Sequence, residues 1–65
     1  MRFHIMHKKI NQPKEEYRVF FETDSIDEAK YFAMRLAFDE NNNVYVQDTK
    51  RGEIVRDFDA LVYRV

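Results

Sequence analysis

Apolar residues recur at a helical spacing between Ser25 and Asp39, and this is the clearest hydrophobic pattern in the chain. At about 100° per residue they form one stripe, which consists of Ile26, Ala29, Phe32, Ala33, Leu36 and Ala37. Ser25 followed by Glu28 is a capping-box pattern, and the asparagines at 41–43 tolerate the left-handed conformation in which helices often end. The pattern therefore predicts one helix over residues 25–39 that lays one face on a core.

Strand-like alternation of apolar and polar residues lies on both sides of this helix. The predicted strands are Arg2 to Lys9, Tyr17 to Glu22, Val44 to Asp48 and Glu53 to Phe58. A break around Pro13 separates the first two strands, and Gly52, the only glycine, lies where a hairpin loop at 49–52 needs a positive φ. The tail at 59–65 fits either an extended edge strand, which its Val and Tyr residues favour, or a short helical turn.

The order of these elements is β-β-α-β-β, so the sequence predicts a single α+β domain over residues 1–65. Short connections favour an antiparallel sheet of four strands, or of five if the tail adds one, with the helix across one face. Tyr17, Val19 and Phe21 are expected to face the helix. The other, open face of the sheet is then expected to expose Phe20, Tyr45, Val55 and Met6, with Arg18 among them.

A second group of apolar residues lies on the predicted helix, turned away from the core stripe. Tyr31, Met34 and Phe38 stand at positions i, i+3 and i+7, and Arg35 lies beside them. We refer to these four residues as the helix cluster. Since Tyr, Phe, Met and Arg are enriched in protein interfaces, the helix cluster is the first candidate for a protein-binding site. The alternative is that the tail at 59–65 folds back and covers it as part of the core.

The short length of the chain favours its stabilisation by a binding partner. A chain of 65 residues buries only ~60% of the surface that its unfolded form exposes, and this one has no cysteine to cross-link it. Small domains of this kind are often stabilised by association, most simply with a second copy of the same chain. The sequence therefore predicts a homodimer, with a different protein as the alternative partner.

The distribution of charge along the chain is compatible with a second function, the binding of nucleic acid. The net charge of −1 argues against a protein built chiefly to bind polyanions, although basic residues prevail at 1–18 and acidic ones at 19–49. The predicted open sheet face offers a second-choice site, made of Arg18, Phe20 and Tyr45. Aromatic rings beside basic side chains on a sheet suit stacked bases, so single-stranded nucleic-acid binding is the alternative function.

Residues for catalysis or metal binding are sparse. His4 and His7, the only histidines, would point to opposite faces of a strand, so the sequence predicts no metal site. Ser25, the sole serine, is used as a helix cap, and a chain with one glycine lacks a phosphate-binding loop. The start of the chain has no long apolar run, which predicts neither a signal peptide nor a membrane span. We expect a cytoplasmic protein that is not an enzyme and holds no cofactor.

Two segments carry a resemblance to other proteins. Residues 17–33 read Y-R-V-F-F-E-T-D-S-I-D-E-A-K-Y-F-A, and residues 43–55 read N-V-Y-V-Q-D-T-K-R-G-E-I-V. They resemble short uncharacterised proteins of bacteria and their phages, in which a strand, a capped helix start and a hairpin of this kind recur. The resemblance implies no activity. The sequence thus predicts a non-catalytic, self-associating protein-interaction module of bacterial or phage type, for which a regulatory or inhibitory role fits the acidic middle of the chain.

Overall fold

A computed structural model describes residues 1–39 and 42–55, and in these residues one helix packs on a four-stranded antiparallel sheet. The strands are β1 (Phe3–Lys9), β2 (Arg18–Thr23), β3 (Asn42–Asp48) and β4 (Glu53–Ile54), and the helix is α1 (Ile26–Asp39). A single 3-10 turn, Lys14–Glu16, lies between β1 and β2. The predicted α+β fold is confirmed. The remainder of the predicted fourth strand and the tail at 59–65 lie outside the described residues.

The first strand of the chain lies inside the sheet, whose order is β2-β1-β3-β4. Both β2 and β3 pair with β1 in antiparallel fashion, so they run parallel to each other with β1 between them. The connection from β2 to β3 must therefore pass over β1, and α1 is the element that makes this crossing. The same connection carries the helix onto one face of the sheet.

The core lies between α1 and the sheet. The buried apolar residues are Phe3, Ile5, Ala29, Ala33, Leu36, Ala37, Val44 and Val46. Phe3 and Ile5 of β1 and Val44 and Val46 of β3 thus face the helix, and Ile5 lies directly opposite Val46 in the β1–β3 ladder. The alanines on the inner side of α1 have small side chains, which lets the helix backbone approach the sheet closely.

A β-bulge changes the facing of β2. Ile5 lies opposite Phe21, but the next residue, Met6, lies opposite Val19, so Phe20 is the extra residue of β2. Phe21 faces the helix as predicted, whereas Val19 shares the open face with Met6. Tyr17 packs against Tyr45 on that same face. The prediction that Tyr17 and Val19 face the helix is therefore wrong, because simple alternation counts no extra residue.

The facing of the last described residues also differs from the prediction. Glu53 lies opposite Asp48 and Ile54 lies opposite Gln47, so Ile54 takes the open-face position. The Val55 amide then donates to the Val46 carbonyl over 2.9 Å, and the Val55 side chain packs against the core. The expectation that Val55 is exposed on the open face is wrong, because the pairing of β4 with β3 places Ile54 on that face and turns Val55 toward the core.

Two of the three asparagines after the helix belong to a strand. Asn42 and Asn43 pair with Lys9 and Lys8 at the start of β3. The prediction that they lead the chain out of the helix is therefore wrong for these two residues. Asn41 lies outside the described residues.

The start of α1 contains a longer hydrogen-bond chain than the capping box predicts. The Ser25 hydroxyl accepts a hydrogen bond from the Glu28 amide over 3.2 Å, as expected. The Glu28 carboxylate, however, accepts from the Thr23 hydroxyl over 2.6 Å, and that hydroxyl accepts from the Ser25 amide over 3.1 Å. The buried side chain of Thr23 thus relays the second half of the capping box.

Asp48 joins the β3–β4 hairpin to the beginning of the chain. Gly52 has a φ of 69°, and its amide donates to the Asp48 carbonyl over 2.8 Å, which confirms the predicted glycine turn. The Asp48 carboxylate accepts two hydrogen bonds from the Arg2 guanidinium, over 3.0 and 2.9 Å. It also accepts from the amides of Lys50 and Arg51. The hydrogen bond from Arg2 is the largest cause that lowers the pKa of Asp48 to about 2.

Candidate interaction surface

The helix cluster lies on the outer side of α1. The exposed fractions of Tyr31, Met34 and Phe38 are 52%, 38% and 63%, and Arg35 is also exposed. The Arg35 guanidinium donates to the Tyr31 hydroxyl over 3.0 Å and lies 5.8 Å from the centre of its ring. These contacts order the polar edge of an otherwise apolar patch. The tail at 59–65, the alternative cover for this patch, lies outside the described residues.

The second-choice set does not form one surface. Tyr45 lies on the open sheet face, where it pairs with Met6. Arg18 lies opposite His7, and its guanidinium is 3.5 Å from the Glu16 carboxylate. Phe20 contacts His7 through its ring, with the ring centres 5.4 Å apart, and faces the helix side. The expectation that these residues share the open face is wrong, because the bulge at Phe20 reverses the facing of the first half of β2.

Tyr17 and Tyr45 pack on each other on the open sheet face. Their ring centres are 4.9 Å apart with an angle of 71° between the planes, so the edge of one ring meets the face of the other. The Lys8 ammonium lies 5.6 Å from the centre of the Tyr17 ring, and the Lys8 side chain is buried. Burial is the main cause that raises the pKa of Tyr17, and Tyr45 adds to it. Rings packed in this way present little free face for stacking bases.

A groove that the sequence did not reveal lies between α1 and the bulged part of β2. Its apolar walls are Phe20, Phe32 and Leu36, and its volume is about 330 Å³. The remaining described side chains that line it are His7, Lys9, Arg35 and Asn42. We call it the Phe20 groove. The bulge places Phe20 here, and no signal in the local sequence marks that bulge.

A wider cavity of about 630 Å³ lies at the other end of the sheet, beside Arg2, Asp48, Ile54 and Val55. Four charged side chains line it, and they pair with each other, Arg2 with Asp48 and Arg51 with Glu53, so its polar chemistry is largely satisfied within the chain. It adjoins Val55, the last residue that the structure describes.

The described residues give little support for chemistry at a metal. His4 lies on the open face, 3.1 Å from the Glu22 carboxylate, while His7 contacts Phe20 on the helix side. The two histidines thus point to opposite faces, as predicted. In residues 1–39 and 42–55, no group of three or more His, Cys, Asp or Glu side chains is arranged to hold a metal ion.

The only helix in the described part of the chain is too short and too polar to cross a membrane.

Known proteins offer no parallel from which a site could be transferred. Comparisons with protein-family models, with curated proteins and with solved structures find no match to this chain. The resemblance to short bacterial and phage proteins therefore stays a prediction. The helix cluster and the Phe20 groove are identified by their geometry alone.

Proposed function

We propose that this protein is a non-catalytic interaction module that associates with a second copy of itself through the helix cluster. The observation that supports this is the exposure of three large apolar side chains at positions i, i+3 and i+7 on the outer side of α1. None of the three belongs to the buried core cluster, whose helical members lie on the inner side of the same helix. An apolar patch of this kind is typical of a binding surface.

The spacing of the helix cluster suits a two-fold contact between antiparallel helices. Tyr31 and Phe38 lie at equal distances on either side of the Met34–Arg35 step. If two copies of α1 cross at this step, Tyr31 of each copy meets Phe38 of the other, and the two Met34 side chains meet near the axis. A two-fold interface of this kind is self-complementary, because each contact occurs twice.

The polar edge of the cluster is suited to the rim of such an interface. The Arg35–Tyr31 hydrogen bond holds a flexible side chain in place before association, which lowers the entropy that binding must overcome. The proposal includes a cytoplasmic location, a bacterial or phage origin and a regulatory or inhibitory role toward a further protein. The acidic residues of the middle of the chain would then face a basic partner.

Sedimentation over a wide concentration range tests the association, with Met34→Glu as the disrupting variant. We expect the wild-type chain to reach the mass of two copies, and Met34→Glu to remain a single copy. Because the substitution places a charge at the centre and is present twice, the Kd should rise at least about 100-fold. Val19→Glu, on the opposite face of the sheet, is the matched control and should leave the Kd unchanged.

Two results would contradict the proposal. One is a wild-type chain that stays a single, folded copy at every concentration. The other is dissociation by Val19→Glu with no effect of Met34→Glu, which would move the interface to the open sheet face. A salt-sensitive complex with single-stranded oligonucleotide that Tyr45→Ala abolishes would support the alternative function instead.

A further inference from the structure

The Phe20 groove has the shape of a small ligand site. Its volume of about 330 Å³ lies at the lower end of the range of small-molecule pockets. About half of the Phe20 side chain remains exposed, at 49%, although its ring already packs against His7. Phe32 on the opposite wall is fixed by Phe21, whose ring centre is 4.9 Å away. The groove thus offers aromatic walls that are held in place without a ligand.

A buried acceptor without a partner lies at this groove. Asn42 lines the groove and is only 1% exposed, and its Oδ1 atom accepts no hydrogen bond. An acceptor left in this state costs free energy, so it is usually satisfied by something in the working protein. The oxygen is itself covered, so the proposed contact requires the side-chain amide to turn toward the groove. A ligand that satisfies this atom carries an N–H or O–H donor next to an apolar group.

An aromatic molecule with one donor group satisfies both features of the site, the aromatic walls and the unpartnered acceptor.

We propose that the Phe20 groove binds a small aromatic molecule whose single N–H donates to the side chain of Asn42. Indole is the simplest molecule with this chemistry. Its ring packs between Phe20 and Phe32, and its N–H meets the Asn42 oxygen. This site is independent of the proposed self-association, although Arg35 borders both surfaces.

The test compares indole with 1-methylindole, which keeps the ring and lacks the donor. Titrations followed by amide chemical shifts should give a Kd for indole on the order of 1 mM. The Kd for 1-methylindole should be about five- to ten-fold higher, as expected for one lost hydrogen bond. In Asn42→Leu, which removes the unpartnered acceptor and should fold at least as well, the two molecules should bind equally.

Two further variants show whether indole binds in this groove or elsewhere on the protein. Phe20→Ala should weaken both molecules by the same factor, and Met34→Ala, in the helix cluster, should change neither Kd. Absence of saturable binding up to about 10 mM would overturn the proposal, because burial of one aromatic ring in the groove should already give a Kd below that concentration. So would a preference for indole that persists in Asn42→Leu. Binding of N-acetyltryptophan amide more than about ten-fold tighter than indole would also overturn it, and would assign the groove to a tryptophan of a partner protein.

Discussion

Thr23 is the residue whose replacement tests the start of the helix most directly. It ends β2, is only 5% exposed, and its hydroxyl connects the Ser25 amide to the Glu28 carboxylate. Thr23→Val keeps the shape of the side chain and removes both hydrogen bonds. The Ser25 amide and the Glu28 carboxylate then each lose a partner at the first turn of α1.

The structure sets the size of the effect. A hydrogen bond to a neutral group contributes about 1 kcal/mol, and one to a charged group about 1.5–3 kcal/mol. Glu28 is exposed, so water replaces part of what its carboxylate loses, and we expect the free energy of unfolding to fall by about 2 kcal/mol. For a domain of this size that lowers the Tm by roughly 8–16 °C. Total stability is itself only roughly 3–10 kcal/mol, so the loss is a large fraction of it.

Urea unfolding followed by circular dichroism measures this loss. Thr23→Ser is the matched control, because it keeps the hydroxyl and gives up one buried methyl group, at a cost of about 1 kcal/mol. The reasoning is refuted if Thr23→Val is no less stable than Thr23→Ser. It is also refuted if Thr23→Val and Glu28→Ala are additive in the double variant, since partners in one network should be coupled.

Two further predictions concern the core and the hairpin. Ile5 is fully buried, so Ile5→Ala should lower the free energy of unfolding by about 2–5 kcal/mol, and Ile5→Val by about 0.5–1.5 kcal/mol. Urea unfolding measures both, and equal midpoints for the two variants would contradict the described core. Asp48 has a folded pKa of about 2 against an ordinary value of 3.8, so its ionised form stabilises the fold above pH 3.8, and this stability is lost as the pH falls toward 2. Urea titrations of wild type and Asp48→Asn between pH 2 and pH 5 measure it. The variant should be less stable at pH 5 and approach the wild type at pH 2, and a constant difference over this range would rule out the Arg2–Asp48 linkage.

The helix and the order of the elements could be predicted because their signals are local. A helix of this length fixes the direction of every side chain, so the spacing of the helix cluster already indicated that it faces outward. The glycine at 52 is likewise a local signal, since few other residues adopt its φ.

The errors all come from pairing between strands. The segment Val19-Phe20-Phe21 is apolar throughout, so its alternation cannot show which residue is the extra one; the pairing with β1 decides it. Asn42 has little intrinsic preference for a strand, yet the ladder with Lys9 draws it into β3. The Phe20 groove depends on both effects, which is why the sequence predicted the outer surface of the helix and not this site.

The position of β1 inside the sheet has a consequence for the order of events during synthesis. Strand β1 is made before both of its neighbours in the sheet, and the second of these, β3, is complete only at Asp48. A nascent chain can form the β1–β2 hairpin early, but the other edge of β1 then carries backbone groups without partners. The sheet therefore closes late, and the newly made chain is most prone to aggregate until β3 pairs with β1.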